Sequence, residues 1–215
     1  MTERSGRPIG SYREADQDCL VGGSGTTASL LDWWERTSLV PRKSQGRRTM
    51  GLFSKDIQSM DDLFVHTLRD IYYAEKQIER SLPKMIGKAR NDTLRKGFEE
   101  HLAQTKGHIE RVEQVFKQHG VEAKTVRCQA IDGILAEADE ISGEASEDVR
   151  DAALVAAAQA VEHYEITRYG TLVAWAKELG RPDCAALLQQ NLDEEKATDA
   201  RLTKVAEERV NRAAA

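Results

Sequence analysis

Two acids, Glu162 and Glu165, stand inside an alanine-rich run that begins near Asp151. Read as helix, Val155, Ala158, Glu162, Glu165, Tyr169, Leu172 and Ala176 are spaced by steps of three or four and share one face. That face is apolar at both ends and acidic at its centre. An unpaired charge on a buried face is very costly, so the pattern predicts compensating groups elsewhere in the chain. A helix rotated by one residue would turn both acids to solvent, but the flanking Ala158 and Tyr169 argue against that.

Three other segments place ligand-type side chains halfway along an apolar seam. From Ser59, Phe64, Leu68, Ile71, Glu75, Ile78 and Leu82 predict a helix over 59–89 with Glu75 at its midpoint. Pro83 should kink its end, and Gly87 and Asn91-Asp92 mark the break. A second helix is predicted from Thr93 to His119, stopped by Gly120. Its inward face carries Leu94, Phe98, Leu102, Thr105, Ile109, Val112 and Phe116, and beside that face lie His101, Gln104 and His108. The run around Glu162 makes a third helix over 147–179, about 50 Å long at ~1.5 Å per residue. Pro182 suits the first turn of a fourth helix reaching about residue 210, with Leu188, Leu192, Glu195, Asp199, Leu202 and Ala206 facing inward.

Residues 121–148 form a connection with a short helical pattern of their own (Ile131, Ile134, Leu135, Ala138, Ile141). A connection of that length can cross the whole bundle, so the third helix can run parallel to the second. The predicted fold is all-α: a four-helix bundle with a long crossover carrying a short fifth helix, over residues 50–212.

Each acid or histidine has a plainer reading alone. A single Glu such as Glu75 is usually solvated, and His101 or His108 can be an ordinary core or surface histidine. Asp193-Glu194-Glu195-Lys196 can be an exposed charged run. Tyr72, Tyr73 and Tyr169 lie within a turn or so of these acids and could be hydrogen-bond partners or electron relays, but core packing is the plainer reading. What favours a shared site is that all four midpoints fall at one level in a bundle. Carboxylates brought together there need a cation to offset repulsion and desolvation. Carboxylate and imidazole donors fit a pair of iron or manganese ions, so the candidate metal ligands are Glu75, His101, Gln104, His108, Glu162, Glu165, Glu195 and Asp199.

Bulk properties narrow the alternatives. The chain has 215 residues, net charge −5 and 6% aromatic residues. The charge gives no reason to expect nucleic-acid binding. No apolar run reaches the ~18 residues of a membrane span, and no signal-peptide pattern opens the chain. Cys19, Cys128 and Cys184 are odd in number and far apart, which suggests a reducing, cytoplasmic setting. No phosphate loop, nucleophile elbow or zinc-type spacing is present. Residues 1–49, rich in Gly and Ser, read as a disordered leader, either a tag or an upstream extension. Met50-Gly-Leu-Phe looks like a natural start, and Trp33 and Trp34 leave a docking role open.

The run Asp151-Ala-Ala-Leu-Val-Ala-Ala-Ala-Gln-Ala-Val-Glu-His-Tyr-Glu-Ile, Tyr169-Gly-Thr-Leu and Glu194-Glu-Lys-Ala-Thr-Asp199 resembles the YciE/YciF family of bacterial ferritin-like proteins. So do Asp70-Ile-Tyr-Tyr-Ala-Glu-Lys-Gln and the His101-Leu…Thr105…Gly107 region. The resemblance covers about Leu52 to Asn211. It implies a ferritin-like bundle, homodimerisation and a role in stress responses. The general ferritin-like pattern has Glu-x-x-His on the second and fourth helices. Here position 104 is Gln, His108 lies four residues on, and the fourth helix offers Glu195 and Asp199. Two functions follow as expectations. One is a di-iron or di-manganese protein bridged by Glu162 and Glu75 and acting on iron, peroxide or dioxygen. The other is a metal-free dimeric structural or interaction protein.

Overall fold

The structure, a computed structural model, describes residues 57–215. The leader expected over 1–49, with Cys19, Trp33 and Trp34, lies outside the described residues. Among the described residues six α-helices follow one another: α1 Met60–Lys88, α2 Asp92–His119, α3 Gln129–Glu144, α4 Arg150–Glu178, α5 Pro182–Val205 and α6 Asn211–Ala214, with a π-helical turn Ala206–Val210 between the last two. Among the described residues there is no strand, and no helix is long and apolar enough to cross a membrane.

The helix ends are set locally. Ser59 and Asp62 form a reciprocal capping box that starts α1. The Asn91 side chain accepts from the amides of Thr93 and Leu94 at the start of α2. Gly120 and Gly180 adopt φ of 82° and 67°, left-handed values that residues with a Cβ reach only at a cost. Pro182 opens α5, where its missing N–H is no loss. Helix α1 continues past Pro83 to Lys88, so the break falls just after Gly87.

The four long helices form a ring in which α1 packs on α2 and α4, and α5 packs on the same two. Cross-helix pairs give the directions. Tyr72 meets Glu113 and His119 meets Asp61; Cys184 meets Gln118 and Arg201 meets Glu100. Asn191 meets Tyr169 while Asp199 meets Gln159, and Tyr164 meets Asp70 while Asp151 caps the turn after α1. Every neighbouring pair is therefore antiparallel, and α2 and α4, on opposite sides of the ring, run parallel. Helix α3 makes this possible by carrying the chain back along the bundle. It is held to α1 by Tyr73 donating to Asp132 at 2.8 Å and by Lys88 donating to Asp139 at 2.8 Å and Ser142 at 2.9 Å. The bundle is the ferritin-like arrangement that the resemblance implies.

The core is apolar toward both ends, with Phe64, Leu68, Leu94, Phe116, Leu154, Leu172 and Leu188 at most 1% exposed. Each such side chain stabilises the fold by about 1.5–3 kcal/mol. That margin lets the middle of the bundle hold a layer of polar groups.

Candidate metal centre

Each long helix of the ring delivers one or two ligand-type side chains to that layer. On α1 the apolar seam Leu68, Ile71, Ile78, Leu82 carries Glu75 inward with it. On α2, His101 and His108 are buried, and on α4 so are Glu162 and Glu165. On α5, Glu195 follows Leu188 and Leu192 into the core. Glu75, Glu165, Glu195 and His108 are wholly shielded from solvent, and His101 and Glu162 nearly so.

The six side chains fall into two groups, His101–Glu162–Glu165–Glu195 and Glu75–His108–Glu195. In each group one donor atom per residue lies within 4.8 Å of the others. Glu195 belongs to both groups; the sequence reading gave the bridging place to Glu162 and Glu75. His101 Nε2 stands 3.2 Å from Glu162 Oε1 and 4.0 Å from Glu195 Oε2. His108 Nδ1 stands 2.8 Å from Glu195 Oε1 and 3.4 Å from Glu75 Oε1. His108 and Glu195 thus form an ion pair, whereas Glu75 Oε2, both ring nitrogens of His101, Glu162 Oε2 and both oxygens of Glu165 make no regular hydrogen bond. Buried polar atoms are normally paired. Buried carboxylate and imidazole groups arranged in this way could hold a metal ion.

The electrostatics agree. Burial pushes the carboxyls of Glu162 and Glu165 well above the ordinary range, and the Glu195 and Glu75 charges add to it. Burial also lowers the His101 imidazole, against the pull of Glu195. For His108 the cost of burial is outweighed by Glu75 and Glu195, and its pKa is pushed up to about 10. Glu195 in turn is raised by burial but held lower overall by His108. Strongly shifted groups of both signs in one dry layer are a pattern that functional sites share with structural ion-pair networks.

Around this layer lies a shell of which sequence reasoning had raised only Tyr169, as a hydrogen-bond partner. His108 Nε2 meets Glu194 Oε2 at 2.9 Å, and Arg111 Nη2 donates to the same oxygen at 2.6 Å. The ring is thus fixed with Nε2 on a carboxylate and Nδ1 aimed into the site, the arrangement that orients metal-binding histidines. Asn191 accepts from Arg111 Nε and donates to the Tyr169 hydroxyl at 2.9 Å and to the His108 carbonyl at 3.3 Å. The Tyr169 hydroxyl donates to Glu75 Oε1, which leaves Oε2 free. Burial keeps this phenol protonated, and the Glu75 charge reinforces that. Asn191, one turn before Glu195 on an apolar seam, was a signal available in the sequence. Glu194 was not, because it sits inside a charged run.

Gln104 and Asp199 are not members of the two groups but border them, Gln104 against His101 and Asp199 near Glu162. Half-buried Gln104 accepts from Thr198 at 3.3 Å and from Arg201 at 3.4 Å. Asp199 accepts from Gln159 at 3.0 Å and faces His163 at 3.4 Å. Tyr72 and Tyr73 point elsewhere, to Glu113 and Asp132. Cys128 and Cys184 are buried free thiols outside the layer.

Residues 59–215 match the family described as domain of unknown function DUF892. The chain belongs to that family. A DUF892 relative, Protein YciF of Escherichia coli (strain K12), is 45% identical over 161 residues, covering 74% of this chain and 97% of YciF. The crystal structure of that stress protein, YciF of E. coli, superimposes with a TM-score of 0.68 at 46% identity, over 72% of this chain and 98% of the other. YcfI of Rhodopseudomonas palustris gives a TM-score of 0.70 at 57% identity, over 72% of this chain and 99% of the other. The YciE/YciF resemblance read from the residues is thereby shown.

Proposed function

We propose that the protein is a di-metal carboxylate protein, binding two iron or two manganese ions, and that it serves bacterial stress protection. The observation that carries this reading is the convergence of Glu75, His101, His108, Glu162, Glu165 and Glu195 in two buried groups that share Glu195, with unpartnered atoms on Glu75, His101, Glu162 and Glu165. The stress role rests on the likeness to YciF, named a stress protein. One ion would take Glu75, His108 and Glu195; the other would take His101, Glu162, Glu165 and Glu195. Gln104 and Asp199 have outer places in this proposal, since other partners hold them. Two ferrous ions in this site would supply one electron each, to dioxygen, which with two protons leaves as hydrogen peroxide, or to peroxide, which with two protons leaves as two waters. The chain's own groups have separate tasks. Glu194 and Arg111 orient His108, Tyr169 holds Glu75 by one oxygen, and Asn191 ties the two arrangements together.

The test is metal content after anaerobic loading with ferrous or manganous ions. Two ions per chain are expected in the wild type and a clear loss in Glu162→Ala. Stoichiometry near zero, with the two proteins indistinguishable, removes the proposal.

A metal-free structural or interaction role is favoured by one observation: the raised Glu162 and Glu165 carboxyls can hold their protons and form a neutral layer. Added metal then leaves the melting temperature unchanged, whereas differential binding raises it. Homodimerisation and a cytoplasmic location belong to the same proposal. The free buried Cys128 and Cys184 fit a reducing compartment, and sedimentation at graded concentration tests the dimer.

A further inference from the structure

The bundle interior holds one more feature beside the acidic layer: an apolar cavity of about 20 Å³. Ile78, Leu82, Phe98, Leu135, Ala158 and Val161 form its walls. Half-buried Ser81, Met85 and Leu135 stand toward the surface between α1 and α3, and His101 and Glu162 close the inner end. These last two are about 2% exposed, and both His101 nitrogens and Glu162 Oε2 lack a hydrogen-bond partner. The cavity therefore borders two residues of the acidic layer.

Size and lining restrict what can occupy it. A volume of about 10–15 Å³ suffices for one water-sized molecule, but water needs two to four polar partners, which only the His101–Glu162 end could offer, and apolar stretches stay dry while admitting apolar guests. Peroxide and hydrated ions would have to shed hydrogen bonds along the aliphatic wall. Dioxygen is small and has none to lose. Charged species have a different approach, since an open depression between α2 and α5, lined by Gln104, Asp193, Glu194 and Arg201, reaches the carboxylate that holds His108.

We propose that this cavity is a binding site for dioxygen and the route by which it reaches the His101–Glu162 end of the site. Its use in oxidation rests on the di-metal reading; the binding itself belongs to the metal-free chain.

Dissolved dioxygen is the probe, and the full metal-free chain with labelled methyl groups is the sample. Paramagnetic relaxation by dioxygen should be greater at the Ala158, Leu135 and Met85 methyls than at the buried Leu188 methyls on α5. Equal relaxation at all of these overturns the proposal. Ala158→Val adds two carbons to the cavity and should abolish the enhancement at Leu135 and Met85; its persistence also overturns the proposal. Ser81→Leu obstructs the half-buried mouth without overpacking the core, and the same loss is expected. In iron-loaded protein both variants should slow oxidation by dioxygen while leaving oxidation by hydrogen peroxide and the iron affinity unchanged. Unaltered dioxygen rates in both variants would overturn the route. A wild type that binds no iron removes the di-metal reading, and the relaxation measurement still decides the cavity's occupant.

Discussion

Glutamine at position 165 separates what the site needs for folding from what it needs for metal. Glu165 is fully buried, and neither of its oxygens has a hydrogen-bond partner. Burial, then the charges of Glu195, Glu75 and Glu162, raise its carboxyl well above the ordinary value of 4.5. Burial therefore favours the protonated form of this group in the metal-free chain, a preference that weighs more against the fold as the pH rises above the ordinary value. Glutamine has nearly the same shape and needs no proton. A buried polar group left unpaired costs about 1–3 kcal/mol, and allowing ~1 kcal/mol for imperfect hydrogen bonding of the new amide, Glu165→Gln should stabilise the metal-free protein by up to about 2 kcal/mol, or up to about 4–8 °C in Tm for a chain of this length. Because the folded-state value is raised, the wild type's stability is fully present below about pH 4.5 and falls as the pH rises. The gap between the two proteins should close near that pH and widen toward neutrality. Manganous ion at a hundredfold excess over Kd should stabilise the wild type by about 2.7 kcal/mol. The variant, one anionic ligand short, should gain less, so the order reverses. Scanning calorimetry in chelator and in manganese, at several pH values, measures all of this. The reasoning is refuted by a variant that melts below wild type in chelator at pH 7, by a gap independent of pH, or by equal gains in manganese.

Glu194→Gln removes the carboxylate behind His108 and should weaken metal binding about 10–100-fold while leaving the metal-free Tm nearly unchanged; titration with manganese followed by paramagnetic resonance checks it, and unaltered affinity contradicts the orienting role. His108, pushed up to about 10, is charged at neutral pH in the metal-free protein. Its stabilising contribution is full below the ordinary 6.5 and is lost as the pH climbs to about 10. Metal must displace that proton, so calorimetric titrations in buffers of different ionisation enthalpy should show proton release at pH 7, and heats that do not vary with buffer count against ligation through Nδ1. Gly120, at φ 82°, should lose about 1–2 kcal/mol as alanine. Gly87, inside α1 with open space around a Cβ, should gain about 0.5–1 kcal/mol from the same change; denaturant unfolding distinguishes the signs.

The sequence by itself determined where the helices lie, because their ends are made by local chemistry: the Ser59 and Asn91 caps, the left-handed Gly120 and Gly180, and Pro182 at the start of α5. It also determined the ligand types, since a Glu repeating with Leu and Ile at steps of three and four is carried to the same face as its neighbours. Only the tertiary structure decided which of these meet. Asp199 shares the nominal face of Glu195 but lies one turn, about 6 Å, along the axis, and there Gln159 takes it. Gln104 is displaced in the same way from His101 and ends against Thr198 and Arg201. Which carboxylate both groups share, Glu195, and which acid turns onto His108, Glu194, depend on the rotation and level of each helix against its neighbours. Those are fixed by packing of the whole core. The apolar cavity has no trace in the sequence at all, because it is space left where side chains from four helices fail to meet.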